Sequence, residues 1–189
     1  MTDSIKGKAL VASPYLTERN FLRSVVYILR HDAEGAFGVI LNRPTDISVG
    51  DLLERYLGQP SENAEPIYTG GPVDGPLLVV HNSADRADVD AIDFCEDLGL
   101  FVATDQGTLA DIWQKNDCKY RCFDGYSGWG EGQLESELKA GGWLVWNAPP
   151  ETVFADPESM WKEAVQQIGR DILAVRIDAS RIPIDPASN

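Results

Sequence analysis

The sequence predicts an α+β domain built on a largely antiparallel sheet. Short segments rich in β-branched and aromatic residues recur along the chain, and residues that favour turns separate them. Two of these segments lie close enough in sequence to form a β-hairpin. Amphipathic helical segments are interspersed among the predicted strands, and no internal repeat or low-complexity segment interrupts the pattern.

Length and composition indicate a single folded unit. The 189 residues fit one domain, and a hydrophobic content of 43% is enough to bury a full core. We therefore predict one domain over residues 1–189, with residues 183–189 as a frayed tail.

Three strands are predicted at the start of the chain. Residues 8–13 form a short apolar run, and residues 24–31 are rich in β-branched and aromatic side chains. Residues 32–36 have turn chemistry and residues 37–42 resume the apolar pattern, which predicts the hairpin. The proline at position 44 is expected to end its second strand.

A short amphipathic helix is predicted over residues 49–57. Apolar residues recur there at helical spacing, Ser48 stands at the N-cap position and Gly58 follows the last turn. Further strands are predicted over residues 67–69, 77–81, 100–103, 119–123, 143–147 and 174–177, and further helices over residues 108–115, 131–140 and 156–168, the last ended by Gly169. The acidic segment 85–97 is predicted to be a solvated loop or sheet edge.

The charge balance argues against polyanionic partners. Sixteen Lys and Arg residues against 30 Asp and Glu residues give a formal charge of −14, which repels nucleic acids and anionic membranes. Residues 1–16 show no signal-peptide pattern and no apolar run is long enough to span a bilayer, so we expect a cytoplasmic protein. Cys95, Cys118 and Cys122 lack paired Cys-x-x-Cys spacing, and we expect reduced thiols.

The segment 125–138 holds the densest concentration of glycine, aromatic and carboxylate residues. Ser127 lies in a partial Gly-x-Ser-x-Gly pattern, the turn that presents a nucleophilic serine, but Trp129 occupies the position of the second glycine. A glycine-rich turn before a helix also attracts phosphate, but Glu131 and Glu135 complement the helix dipole and repel an anion. We therefore interpret the segment as a self-capped corner between a strand and a helix.

The residues predict no catalytic, cofactor-binding or metal-binding set. The two histidines, His31 and His81, lie at predicted strand ends and lack a second strong metal ligand at helical spacing. Residues 88–93 lack the glycine of a calcium loop, and no Walker-type sequence occurs. One enzymatic alternative stays open, a hydrolase or thiol-dependent enzyme that uses Ser127 or a cysteine with His31 or His81.

Several motifs occur in an order that is typical of one family. They are Leu10–Pro14, Phe21–Tyr27 leading to His31, Gly35–Pro44, Tyr68–Pro72, and Gly125–Trp129 with Gly132–Glu135. Their order resembles the AlgH/YqgE family, an uncharacterised bacterial family whose members are often labelled transcriptional regulators. The resemblance implies a bent antiparallel sheet that forms a partial barrel flanked by helices, and it implies no catalytic residue or cofactor. The chain departs from the family over residues 74–81, at Ser127 and in lacking a C-terminal Gly-His-Ala.

We predict a non-catalytic binding or regulatory protein in the cytoplasm, with a protein or small molecule as its partner and no direct contact with nucleic acid. The candidate surface consists of residues at predicted strand ends and loops, namely Ser24, His31, Asn42, Arg43, Gly70, Gly71, His81, Tyr126, Trp129, Gln133 and Glu135. The alternative is a structural role, with Tyr126 and Trp129 filling the core and the polar side chains holding loops. Direct DNA binding would require a local basic stripe despite the net negative charge.

Overall fold

The computed structural model describes residues 4–58, 60–86, 98–115 and 117–176. Its strands are β1 Ala9–Ala12, β2 Val25–Asp32, β3 Gly35–Ile40, β4 Pro44–Ser48, β5 Pro66–Thr69, β6 Leu78–His81, β7 Phe101–Ala103, β8 Tyr120–Asp124, β9 Ser127–Gly130 and β10 Trp143–Trp146. Its α-helices are α1 Val49–Leu57, α2 Gln106–Lys115, α3 Gln133–Lys139 and α4 Pro157–Arg176. Within the described ranges, no helix combines the length and the apolar character needed to cross a bilayer.

The strands form two five-stranded sheets. Sheet A has the order β10-β1-β2-β3-β9, and each neighbouring pair is antiparallel. Sheet B has the order β4-β5-β8-β6-β7, in which the β5–β8 pair is parallel and the other pairs are antiparallel. The described strands of neither sheet close into a barrel. The predicted α+β class, the hairpin β2–β3 and the largely antiparallel pairing are confirmed.

The alternation of side chains along the strands produces four layers. On β1, Val11 belongs to the core between the two sheets, whereas Leu10 faces the side that α3 covers. On β6, Val80 belongs to the same central core, whereas Val79 packs with α1 and α2. The order of layers is therefore α3, sheet A, sheet B and then α1 with α2, while α4 contributes side chains to the central core.

Helix α1 has the bounds and caps that the sequence predicts. The Ser48 hydroxyl accepts a hydrogen bond from the Asp51 backbone N–H at 3.1 Å, and the Asp51 carboxylate accepts one from the Ser48 N–H at 2.7 Å. This reciprocal pair is a capping box. At the other end Gly58 has a left-handed φ of 64°, and its N–H donates to the Glu54 carbonyl.

Strand β3 ends at Ile40, before Pro44 as expected, but the sequence did not predict the strand that follows it. Pro44 is the first residue of this strand, β4, which pairs with β5 at the edge of sheet B. Most of its side chains are exposed, so the sequence lacks the apolar alternation that would have indicated a strand. A proline is tolerated at a sheet edge because its missing N–H costs no ladder hydrogen bond there.

The expected end of the last helix and the strand predicted after it are wrong. Helix α4 continues through Gly169 to Arg176. A glycine in a helix interior costs about 1 kcal/mol relative to alanine, and the burial of Met160, Ala164 and Ile168 in the central core offsets this cost. Ile177, the tail 183–189 and residues 87–97 of the acidic segment lie outside the described residues.

A buried arginine on β8 connects the two sheets. The Arg121 guanidinium donates to the Leu41 carbonyl at 3.1 Å and to the Ala155 carbonyl at 2.8 Å. Its Cζ atom lies 4.2 Å from the centroid of the Tyr68 ring, and desolvation lowers the pKa of Arg121. One side chain thereby joins the chain after β3, the middle of sheet B and the segment before α4.

Candidate functional site

The segment 125–138 contains a strand as well as the start of a helix. Ser127–Gly130 forms β9 at an edge of sheet A, and α3 begins at Gln133. Gly132 precedes the helix in a left-handed conformation, with φ of 68°, and provides no side-chain cap. Glu131 therefore lies before the helix instead of in its first turn. The corner thus joins strand β9 to α3, and only the expected place of Glu131 in the first turn is wrong.

The start of α3 is held by two of its own side chains. The side-chain oxygen of Gln133 accepts a hydrogen bond from the Gly130 N–H at 3.1 Å. The carboxylate of Glu135 is the acidic group of the first turn. A hydrogen bond from its own backbone N–H, followed by the hydrogen bond to His31, lowers the pKa of Glu135. The negative charge that the sequence places near this terminus is therefore present, but Glu135 supplies it.

The Glu137 carboxylate is the centre of an aromatic cluster beside α3. One oxygen accepts hydrogen bonds from the indole N–H groups of Trp129 at 3.0 Å and Trp143 at 2.8 Å. The other oxygen accepts the amide N–H of Gln133 at 2.9 Å. Phe21 stacks on Trp129 with ring centroids 6.1 Å apart and meets Trp143 edge-on at 5.2 Å. We call Glu137, Gln133, Trp129, Trp143 and Phe21 the indole–carboxylate cluster.

His31 and Glu135 form a half-buried pair next to this cluster. His31 Nε2 lies 3.0 Å from a Glu135 carboxylate oxygen, and His31 Nδ1 accepts the backbone N–H of Ile5 at 3.1 Å. In neutral His31 these contacts require the proton on Nε2, which donates to Glu135. Both ring nitrogens are therefore engaged, and neither is free to accept a proton from a nucleophile.

Asn42 and Arg43 hold the loop between β1 and β2, residues 13–24, through side-chain hydrogen bonds to the backbone. The Asn42 side-chain oxygen accepts the Val25 N–H at 2.9 Å, and its amide donates to the Arg23 carbonyl at 2.9 Å. The Arg43 guanidinium donates to the Leu22 carbonyl at 3.3 Å. These residues thus fix the backbone of the β1–β2 loop where it enters β2.

The β1–β2 loop is further ordered by its own contacts. Ser24 is fully buried, and its hydroxyl donates to the Phe21 carbonyl at 2.9 Å. Arg23 has a positive φ of 53°, a conformation that costs energy for a residue with a side chain. The hydrogen bond from Asn42 and the burial of Phe21 hold this strained turn in place.

Gly70 and Gly71 pack against residues 125–126, where the chain crosses from β8 in sheet B to β9 in sheet A. A Cβ atom on Gly70 would stand 2.2 Å from the Gly125 carbonyl oxygen, and one on Gly71 would stand 2.2 Å from the carbonyl carbon of Tyr126. The Ser127 hydroxyl is fully buried and donates to the Gly70 carbonyl at 3.1 Å. The close approach that these glycines permit is therefore an approach of the chain's own backbone.

His81 is fully buried at the end of β6. Its Nδ1 accepts the Ser83 N–H at 3.3 Å, its ring stacks on Phe101 with centroids 5.8 Å apart, and its Nε2 has no hydrogen-bond partner among the described residues. Desolvation, followed by the positive charge of Arg86, lowers the pKa of His81 from 6.5 to about 4. His81 is consequently neutral at pH 7.

Acid is expected to destabilise the fold through His81. The unfolded chain binds a proton at the ordinary pKa of 6.5, whereas the folded chain binds it only near pH 4. The stability that neutral His81 contributes is therefore fully present above pH 6.5 and is lost as the pH decreases toward 4. The free energy of unfolding falls by about 2 kcal/mol between pH 7 and 5. Urea unfolding at these two pH values measures the loss. His81→Leu should remove most of this slope, and an equal slope in both proteins would contradict the assignment.

Arg86, whose charge acts on His81, organises an ion-pair network. Its guanidinium contacts Asp111 at 2.6 Å and Asp117 at 2.7 Å, and Lys115 reaches Asp111 at 2.6 Å. These bonds lower the pKa values of both carboxyl groups. An open depression of about 610 Å³ adjoins the network. It is lined by Asn82, Ser83, Ala84, Asp85, Asp117, Cys118 and Lys119, so it includes none of the predicted surface residues.

Among the residues that the structure describes, no nucleophile is assembled with a histidine base. Burial raises the pKa of Cys122 to about 12 and raises the pKa of Cys118, so both thiols are protonated at neutral pH. The Ser127 hydroxyl donates a hydrogen bond to the Gly70 carbonyl, and the Cys122 sulfur accepts one from the Trp113 indole N–H. Cys95 lies outside the described residues.

The predicted surface residues separate into four places. His31, Trp129, Gln133 and Glu135 converge around α3, and Ser24, Asn42 and Arg43 hold the β1–β2 loop. Phe21 joins these two groups because it belongs to the loop and its ring packs on Trp129. Gly70, Gly71 and Tyr126 lie together beside the crossing between the sheets, and His81 lies in a fourth place, near Arg86.

The sequence analysis did not identify Glu137, Trp143 and Phe21 as site residues. One signal could have found Glu137, because Gln133 and Glu137 stand four residues apart on a helix and their side chains can meet. No comparable signal marks the bonds of Arg86, since Asp111 and Asp117 follow it by 25 and 31 positions.

The fold and the contacts around α3 define an α+β protein whose candidate site is a linked set of aromatic, carboxylate and imidazole side chains. A family model described as AlgH-like, DUF179, matches residues 9–173. The chain therefore belongs to the AlgH-like family.

Relatives and solved structures agree with this family over most of the chain. A UPF0301 protein of Streptomyces coelicolor is 37% identical over 98% of this chain and 96% of its own length. A UPF0301 protein of Cytophaga hutchinsonii is 35% identical over 97% of this chain and 98% of its own. The solution structure of AlgH from Pseudomonas aeruginosa superposes with a TM-score of 0.73 at 28% identity, covering 94% of this chain and 98% of that one.

Proposed function

We propose that this protein acts in the cytoplasm as a non-catalytic binding protein, with the α3 face as its recognition surface. One observation carries the proposal. His31 and the segment that holds Trp129, Gln133 and Glu135 are about 100 positions apart in sequence and converge on one face, where Gln133 is exposed and Glu135 is partly exposed. Their polar groups are already oriented by hydrogen bonds, which reduces the entropy lost when a partner binds.

The same contacts favour binding over catalysis. His31 has both nitrogens engaged, His81 is buried and neutral, and the Ser127 hydroxyl is enclosed under a hydrogen bond to Gly70. A general base needs a free nitrogen within about 2.6–3.2 Å of the proton that it removes. A regulatory role of the kind that the label transcriptional regulator suggests would then operate through a protein or small-molecule partner and not through direct contact with DNA.

Changing the exposed polar groups of α3 should remove a partner without unfolding the protein. Gln133→Ala with Glu135→Gln is expected to cost about 1 kcal/mol of stability, because exposed pairs contribute little. Proximity labelling in cells with the wild-type and doubly changed proteins, together with their thermal melts, measures both effects. Glu131→Ala, an exposed neighbour outside the cluster, is the matched control. An unchanged set of labelled partners would contradict the proposal.

A further inference from the structure

The β1–β2 loop exposes apolar side chains on a rigid support. Tyr15 is 89% exposed and Leu22 is 49% exposed. The loop beneath them is fixed by backbone bonds from Leu16 to Ser13, from Phe21 to Glu18 and from Ser24 to Phe21. Exposed apolar groups on an ordered loop bury area on binding at little cost in conformational entropy.

Three arginines that have no carboxylate partner among the described residues accompany these side chains. Arg19 belongs to the loop, Arg23 is next to Leu22, and the Arg43 guanidinium lies 3.3 Å from the Leu22 carbonyl oxygen. None of the three forms an ion pair with a described residue, whereas Arg30 and Arg86 do. The Arg23 guanidinium instead lies 5.7 Å from the Trp161 ring centroid.

Three neighbouring arginines without an ion pair to a described residue are unusual in a chain with so large an excess of acidic residues. The chain carries 30 acidic against 16 basic residues, so carboxylates to neutralise these arginines are abundant. The loop itself contributes the carboxylate of Glu18, which is exposed. The arginines beside Leu22 thus form a small positive area on a negative molecule, and such an area attracts a complementary negative group.

We infer that the β1–β2 loop docks a short protein segment that carries an apolar side chain flanked by carboxylates. The apolar side chain would cover Leu22, and the carboxylates would pair with Arg23 and Arg43. A long polyanion such as DNA fits less well, because the net charge of −14 repels its many phosphates. This inference rests on the proposed binding function and names the chemistry of the partner.

Selection from a displayed library of short random peptides tests the inference. Peptides enriched on the wild-type protein are expected to combine Asp or Glu with Leu, Phe or another large apolar residue. Arg23→Glu with Arg43→Glu should weaken a selected peptide about tenfold or more, and raising the salt from about 50 to 200 mM should weaken it as well. Arg19 is exposed and forms no hydrogen bond or ion pair with another described residue, so Arg19→Glu should act in the same direction if the double variant fails to fold. Lys119→Glu, a charge reversal at an exposed residue just before β8, is the matched control.

Several outcomes would overturn the inference. Enrichment of neutral or basic peptides, no enrichment, or equal affinity for the charge-reversed protein would each do so. Concentration-dependent dimers that Leu22→Glu dissociates would assign the loop to a second copy of the chain. Binding to phosphatidylglycerol vesicles or to a promoter duplex would assign it to those anions.

The peptide data also separate this inference from the proposed function. A selected peptide that still binds the charge-reversed protein but is lost on Gln133→Ala with Glu135→Gln would refute the acidic partner and support the α3 face. A peptide that binds both variants as well as it binds the wild type would count against both.

Discussion

Replacing Gly71 by alanine is expected to prevent stable folding, with a loss of more than about 4 kcal/mol in the free energy of unfolding. A Cβ atom at this position would stand 2.2 Å from the carbonyl carbon and oxygen of Tyr126 and 2.4 Å from the Ser127 nitrogen. All three are backbone atoms, so no side-chain rotation relieves the overlap. The chain must separate at the crossing, which carries the isolated bridge between Val73 and Tyr126. Urea unfolding followed by far-ultraviolet circular dichroism measures the loss.

Gly130 provides a matched control for this substitution. It lies on β9, and a Cβ atom there would meet nothing within 4 Å. Gly130→Ala is expected to change stability by no more than about 0.5 kcal/mol. A Gly71→Ala protein as stable as Gly130→Ala would contradict the close backbone approach at this position. Loss of folding in Gly71→Ala alone supports a structural reason for this pair of glycines.

The elements that the sequence predicts well are those specified by neighbouring residues. Helix α1 has its apolar spacing, its capping box from Ser48 to Asp51 and its left-handed Gly58 within one short segment. The hairpin of β2 and β3 likewise depends on two apolar runs and the short turn between them. Interactions between residues close in the chain decide both structures, so propensity and periodicity are sufficient.

The elements predicted poorly depend on distant residues. Strands β5 and β6 follow each other in sequence, but β8 lies between them in sheet B. Strand β4 forms because β5 offers an edge, although its own side chains are mostly exposed. Helix α4 passes through Gly169 because its neighbours are buried in the central core, and this tertiary contribution outweighs the local preference.

The candidate site shows the same division. The sequence identified His31 and Glu135 as residues of interest, but their contact spans 104 positions and no spacing rule predicts it. Glu137 was not among the predicted site residues. Its role becomes visible only when the Trp143 ring from β10 meets the Trp129 ring from β9, the opposite edge of sheet A, because the two indole N–H groups then require a common acceptor.

Removing the Glu137 carboxylate should cost about 3–4 kcal/mol, the second largest effect that we expect. Trp129 and Trp143 are 6% and 3% exposed, so Glu137→Ala leaves two buried indole N–H groups without an acceptor. An unsatisfied buried donor costs about 1–3 kcal/mol, and the hydrogen bonds lost here are made to a charged group. Urea unfolding measured by circular dichroism avoids the change in indole fluorescence that the substitution itself produces.

Two further variants separate the acceptor from the charge and from the helix. Glu137→Gln keeps an acceptor oxygen of similar reach and should recover about half of the loss, because a neutral acceptor binds each indole less strongly. Glu131→Ala removes an exposed carboxylate just before α3 and should change stability by no more than about 0.5 kcal/mol. If Glu137→Ala were as mild as Glu131→Ala, the indoles would have another acceptor, and the cluster could not be what holds Gln133 and Trp129 on the recognition face.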